Sequence, residues 1–248
     1  MELQGKIAVV AGASGGIGRE ISKALANEGV HVVLVARREG VLEALKREIE
    51  SNGGRANVYL ADLTDEGSVA RMADFIGNNF DSVDLLFNTA GVGIYKKLKE
   101  LTYDDWRKTF AVNVDSEFLL IRELLPLLEK SEKSYVISTG SGMGKVALSG
   151  RSAYCSSKFA LRGMMLSFAK EYANSNIHFI HLTLGSVLTA FGPLSLEDKI
   201  NKQKKGKKYL EPAWLAEHIV TKIKHDTLEP ETPIYPRHYI EESRKDKR

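Results

Sequence analysis

Tyr154 and Lys158 stand four residues apart within Ser152–Tyr172, where apolar residues recur three and four apart. That spacing predicts a helix carrying both side chains on one face. A free phenol, with a pKa of about 10, is a poor base at neutral pH, and each unit of lowering needs about 1.4 kcal/mol of differential stabilisation. An ammonium close to the phenol favours phenolate, which makes tyrosine a usable proton donor and acceptor. Such a pair is common on any helix, so its meaning depends on what else the chain brings to the same place.

A second chemistry lies near the start. The apolar run Ile7–Val10 leads into Ala11-Gly12-Ala13-Ser14-Gly15-Gly16-Ile17-Gly18, which opens a segment of helical period, Gly16–Glu28. Glycines let a backbone turn sharply and approach a pyrophosphate, while a helix N-terminus directs its free N–H groups and dipole at the anion. Gly12, Ser14, Gly15, Gly16, Ile17 and Gly18 are therefore candidate dinucleotide-binding residues. The next apolar run ends Val35-Ala36-Arg37-Arg38. An NAD-binding chain usually carries a carboxylate here for the adenine ribose hydroxyls. This one offers two guanidinium groups instead, and a guanidinium fork suits a 2′-phosphate. Arg37 and Arg38 thus point to NADP rather than NAD.

These residues need a scaffold, and the rest of the chain supplies its pattern. Ile7–Val10, Val32–Val35, Val58–Leu60, Leu85–Phe87, Tyr135–Ile137 and Phe179–Leu182 read as buried strands, with a last short strand at Pro233–Tyr235. Between them Gly16–Glu28, Val41–Ser51, Ser68–Asn78, Trp106–Lys130 and Ser152–Tyr172 carry helical periodicity, followed by Pro212–Lys224. Alternating strand and helix implies an α/β, doubly wound Rossmann fold: one parallel sheet of about seven strands, flanked by helices on both faces. No Pro/Gly/Ser-rich linker interrupts it, so residues 1–248 are expected to form a single domain, with a substrate loop at about 189–211 and a solvated tail at about 241–248.

Composition narrows the class. The chain has 248 residues, 43% hydrophobic and 27% charged, enough for a substantial core and too apolar for a disordered protein. One cysteine excludes an internal disulfide framework. A net charge of +3 gives no case for nucleic acid, and no apolar run is long enough to span a membrane. The six histidines form no recognised metal-ligand motif. Met1–Lys6 lacks the basic and apolar regions of a secretory signal, and a cytoplasmic protein is expected.

Taken in register, the motifs resemble the short-chain dehydrogenase/reductase family in its compact, single-domain form, from Lys6 to about Trp214. Gly12, Gly16 and Gly18 match its glycine motif, and Asp62, followed by Leu63, matches its adenine-contacting residue. Asn88-Thr89-Ala90-Gly91 matches its Asn-Asn-Ala-Gly segment, with Asn88, Ala90 and Gly91 expected at the cofactor. Gly185, Val187 and Thr189 fall in the stretch that closes over the nicotinamide. Asn113 matches the asparagine of the catalytic tetrad, and Ser141, 13 positions before Tyr154, is selected over Ser138. The resemblance implies hydride transfer between NADPH and a carbonyl, with Tyr154 as general acid/base and Ser141 bonding the carbonyl oxygen. Lys158 is expected to hold the ribose and lower the Tyr154 pKa, and Asn113 to anchor a water. It also implies a homodimer or homotetramer, paired through Trp106–Lys130 and Ser152–Tyr172.

The chain departs from the family at Ala11 (usually Thr), Thr89 (usually Asn), Gly140 (often Ser) and Leu184 (usually Pro). The substrate, a small-molecule carbonyl or alcohol, should meet a wall made by Gly142–Arg151, Ile94–Tyr95 and residues 189–210, with Leu148, Leu188, Phe191, Leu194 and Leu196 giving an apolar surface. Lys202, Lys204, Lys205, Lys207 and Lys208 crowd into seven positions. They read more simply as a solvated loop than as a dock for an anionic substrate or acyl carrier. Cys155 reads as a packing residue. The rival reading is a non-catalytic dinucleotide-sensing or scaffold protein that retains the fold.

Overall fold

The computed structural model describes residues 1–239 and contains a seven-stranded, wholly parallel sheet. Its strands are β1 (Ile7–Ala11), β2 (His31–Ala36), β3 (Arg55–Leu60), β4 (Leu85–Asn88), β5 (Ser134–Thr139), β6 (Ile177–Leu184) and β7 (Glu231–Ile234), in the order β3-β2-β1-β4-β5-β6-β7. The near-continuous apolar runs of β1, β2, β4, β5 and β6 are buried on both sides, which is why they do not alternate with polar residues, whereas edge strand β3 leaves Leu60 exposed. One core packs Leu34, Phe87 and Ile180 against α1 (Gly16–Asn27), α2 (Glu39–Ser51) and α8 (Pro212–Lys224). The opposite core packs Val33, Leu86 and Val136 against α3 (Glu66–Asn79), α5 (Ser116–Glu129) and α6 (Ser152–Glu171). The strand order reverses between β1 and β4, so a crevice opens there at the carboxyl ends of the strands, where ligands bind in such sheets.

The structure corrects the expected elements in several places, and β3 begins at Arg55, three residues before the expected Val58. The helix expected over Trp106–Lys130 is α4 (Tyr103–Phe110), a π-helical turn at Ala111–Asp115, and α5. It starts earlier because the Thr102 hydroxyl accepts from the Asp105 N–H while the Asp105 carboxylate accepts in return, a reciprocal cap. The expected loop at 189–211 contains a helix, α7 (Leu196–Lys204), started by the same device on Ser195 and Asp198. β7 begins two residues before the expected Pro233, at Glu231. The tail expected at 241–248 lies outside the described residues. Among those described, no helix is long and apolar enough to cross a membrane.

Candidate active site

The glycine turn is shaped by lack of space. Gly12 has φ +79°, and a Cβ there would lie 2.6 Å from the Ala90 nitrogen and 2.7 Å from Thr89 Oγ1. A Cβ on Gly16 would lie 2.7 Å from Thr189 Cγ2. Gly15 caps α1 without a side-chain acceptor, and no acidic residue occupies the first turn. The helix thus presents free N–H groups and the positive end of its dipole. Two of the departures from the family offset one another: Ala11 lacks a hydroxyl, and Thr89 Oγ1 donates to the Ala11 carbonyl at 2.9 Å. Beside the turn, Arg38 Nη2 donates to the Ser14 carbonyl at 2.7 Å, joining the end of β2 to the loop. Arg37 makes no hydrogen bond or ion pair among the described residues, and its charge helps to hold the Asp62 carboxyl below its usual range. The larger cause there is Thr64, whose backbone N–H and hydroxyl both donate to Asp62 Oδ1.

The proton-handling residues sit at the other end of the crevice. Tyr154 and Lys158 project from α6, 5% and 4% exposed. Lys158 Nζ donates to the Thr139 carbonyl at 2.9 Å and lies 5.9 Å from the Tyr154 ring centroid. The Tyr95 ring stands edge-on to Tyr154, with centroids 5.4 Å apart, and Phe191 packs at 5.9 Å. Here the expected electrostatics is corrected. Burial pushes the phenol pKa up, Tyr95 adds to the rise, and the hydrogen bond with Ser141 only partly opposes it. Burial also brings the Lys158 ammonium down to about 8. A lysine tied to a carbonyl at this depth does not outweigh the desolvation of the phenol.

Asn113 is buried on the π-helical turn. Its Oδ1 accepts from the Val92 N–H at 2.8 Å, and its Nδ2 donates to the Val92 carbonyl and Ser157 Oγ, each at 3.0 Å. The side chain is therefore spent on joining the β4 loop to α6. Asn88 is likewise buried, and its Oδ1 accepts from the Ala90 N–H at 2.9 Å. Neither of these two lines the cleft; both stand behind its wall. Every other candidate lines one cleft of about 820 Å³: the glycine turn, Arg37, Arg38, Asp62, Leu63, Ala90, Gly91, Ser141, Tyr154, Lys158, Gly185, Val187 and Thr189. Leu148, Phe191 and Leu194 also line it, whereas Leu188 and Leu196 do not. Of the lysine cluster, Lys207 alone reaches the wall, and the others are exposed.

Sequence reasoning missed a buried polar group behind Lys158. Asn88, Ser138, His181 and Glu231 are partners across β4, β5, β6 and β7, so their side chains share one face. Glu117 on α5 meets this row, and its Oε2 accepts from Ser138 Oγ at 2.9 Å while Oε1 has no hydrogen-bond partner among the described residues. Burial pushes the Glu117 carboxyl up to about 7, with Ser138, Asn88 and the Lys158 charge opposing. Both ring nitrogens of fully buried His181 lack partners among the described residues, and burial holds its pKa down to about 4. Gly140 explains how the ring fits, because a Cβ there would lie 2.2 Å from His181 Nε2. Only the departure at Gly140 hinted at this arrangement.

Comparison with known proteins agrees with the geometry. Residues 6–199 match the family described as short chain dehydrogenase. D-threitol dehydrogenase of Mycolicibacterium smegmatis is 30% identical over 190 residues, 77% of this chain and 73% of that protein. A fatty acyl-CoA reductase of Acinetobacter baylyi is 34% identical over 81% of this chain and 68% of its own. Among solved structures, a metagenomic short-chain oxidoreductase in complex with NADP superimposes with a TM-score of 0.79 at 29% identity, covering 95% of this chain and 99% of that one. An alcohol dehydrogenase from the archaeon Thermococcus sibiricus, complexed with 5-hydroxy-NADP, gives 0.81 at 26% identity, covering 94% and 96%.

Proposed function

The chain belongs to the short-chain dehydrogenase family, and we propose that it is an NADPH-dependent carbonyl reductase acting on a small-molecule ketone or aldehyde. The observation that carries this reading is that Ser141, Tyr154 and Lys158 line the same cleft as the glycine turn and Arg37. The residues fit the cofactor: Gly12 and Gly16 allow the tight turn, because a Cβ on either would run into Thr89, Ala90 or Thr189, α1 offers an uncapped N-terminus, and Arg37 has no hydrogen-bond partner among the described residues. Ala36 provides no carboxylate for a bare ribose, and the two solved relatives above carry NADP or its 5-hydroxy derivative.

The nicotinamide, when bound, supplies the hydride. The protein supplies the rest. Ser141 donates a hydrogen bond to the carbonyl oxygen, lowering the cost of charge developing there. Tyr154 delivers its proton to the same oxygen. The upward push on its pKa keeps the phenol protonated through neutral pH, which is the state a donor needs. Lys158 places a positive charge beside the reaction and holds the nicotinamide ribose. Asn113 positions the β4 loop and α6 and does not touch substrate. The assembly is a homo-oligomer joined through α5 and α6, where Phe118 and Phe159 are 44% and 45% exposed.

The test is oxidation of NADPH against a panel of ketones and aldehydes, followed by the absorbance of the reduced nicotinamide. Tyr154→Phe should lower turnover by about 10²-fold or more, while NADPH affinity stays within a few-fold. No turnover with any carbonyl compound would favour the sensing or scaffold reading.

A further inference from the structure

Among the described residues six cations line the cleft (Arg37, Arg38, Arg151, Lys158, Lys199 and Lys207) against one carboxylate, Asp62. Most of these charges already have work. Arg38 is bonded to Ser14, Lys158 to Thr139, and buried Lys199 donates to the carbonyls of Thr189 and Phe191. Arg37 lies by Asp62 at the end of β2. Lys207 is an exposed ammonium over the Tyr209 ring. Arg151 has no ion pair and no oxygen acceptor for its guanidinium among the described residues.

Arg151 precedes α6, three residues before Tyr154. Its guanidinium carbon lies 4.7 Å from the centroid of the Tyr95 ring, the same ring that stands edge-on to Tyr154. Its one hydrogen-bond partner among the described residues is Met143 Sδ at 3.4 Å, a weak acceptor. Most of its five N–H donors are therefore unmet, and its charge reaches the Tyr154 phenol, where it favours the ionised form. Around it the wall is apolar, because Met143, Val146, Leu148 and Phe191 all line the cleft, and the last three are exposed. An apolar pocket with one convergent cation fixes the orientation of a ligand that has a hydrocarbon body and an anionic end.

We infer that the substrate is an oxo acid, a carbonyl compound whose hydrocarbon body bears a carboxylate held by Arg151. The inference rests on the reductase reading of the cleft. One guanidinium matches one carboxylate, since its fork makes two parallel bonds to the two oxygens. A phosphate dianion would call on further cations, and Lys199 is already committed to backbone carbonyls. The Tyr95 face positions the fork, and the aromatic and aliphatic wall takes the chain between carboxylate and carbonyl.

The experiment compares oxo acids of graded chain length with their methyl esters, in the presence of NADPH. The wild-type protein should favour the best acid over its ester by about 10- to 100-fold in kcat/KM, the range expected for a charge-assisted bond. Arg151→Met should bring that ratio close to one. Arg151→Lys should leave an intermediate ratio, because the charge remains and the fork is lost. An ester used as well as its acid, or a ratio that survives Arg151→Met, overturns the inference and leaves Arg151 as packing for Tyr95. Should the Met variant not fold, the Lys variant decides in the same way, a reduced ratio supporting the inference and an undiminished one overturning it. Should no carbonyl compound be reduced, the reductase reading fails by itself. Calorimetric titration of NADP-loaded protein with the same pairs then decides the anion question: tenfold tighter binding of the acid supports it, and equal binding overturns it.

Discussion

Replacing Glu117 with Gln exchanges a buried carboxyl for a neutral group of the same shape that can still accept from Ser138. In the folded chain burial moves this carboxyl from the usual 4.5 to about 7. The unfolded chain therefore releases the Glu117 proton at lower pH than the folded chain does. Stability linked to this group is fully present below pH 4.5, falls as the pH rises to about 7, and is flat beyond. At about 1.4 kcal/mol per tenfold change in proton affinity, the loss amounts to about 3 kcal/mol. The Gln variant escapes it. Thermal melts of both proteins across this range should therefore coincide near pH 4.5 and separate with rising pH. Above pH 7 the variant should melt higher by roughly 6–12 °C, at 2–4 °C per kcal/mol for a domain of this size. A constant difference at all pH values would refute the reasoning. So would a variant that melts progressively lower than the wild type as pH rises, because Glu117 would then be an ionised partner of Lys158 and not a neutral carboxyl.

Gly140→Ser should cost about 1–3 kcal/mol in melts, because the new Cβ would meet His181 Nε2 at 2.2 Å and the Leu182 carbonyl oxygen at 2.8 Å. Adding His181→Ala should recover part of that loss, and a double-mutant cycle showing no coupling would contradict the packing described here. Sedimentation should show a dimer or tetramer at micromolar concentration, and Phe118→Glu, at the exposed position on α5, should shift it toward monomer. A wild-type protein that is monomeric throughout would count against pairing of α5 and α6.

The sheet and the glycine turn were legible because their signals are local. A buried parallel strand announces itself as a short apolar run, and a strand–glycine–helix order is complete within Ile7–Asn27. Helix α7 was hidden by its lysines, although Ser195 and Asp198 already carried the cap pattern. The π-helical turn at Ala111–Asp115 escaped because its residues, Ala-Val-Asn-Val-Asp, include no glycine or proline to mark a change of winding. Glu117, Ser138 and His181 are far apart in the chain, and only the register of β5 on β6 and the seat of α5 bring them together. Arg151 before a helix looks ordinary until Tyr95 is placed beneath it. The upward push on Tyr154 is hidden for a related reason: a lysine four residues away is visible in sequence, whereas depth of burial is set by tertiary packing.

The measurement that tests the central claim most directly is the rate of carbonyl reduction driven by NADPH and by NADH, with wild-type protein and Arg37→Ala at low ionic strength. A charge-assisted bond to the 2′-phosphate contributes about 1.5–3 kcal/mol, or roughly one to two decades. The account predicts that NADPH exceeds NADH in kcat/KM by at least about tenfold, that Arg37→Ala removes most of this margin, and that added salt erodes it by screening. Equal use of NADH by the wild-type protein, or a preference for NADPH untouched by Arg37→Ala, would contradict it.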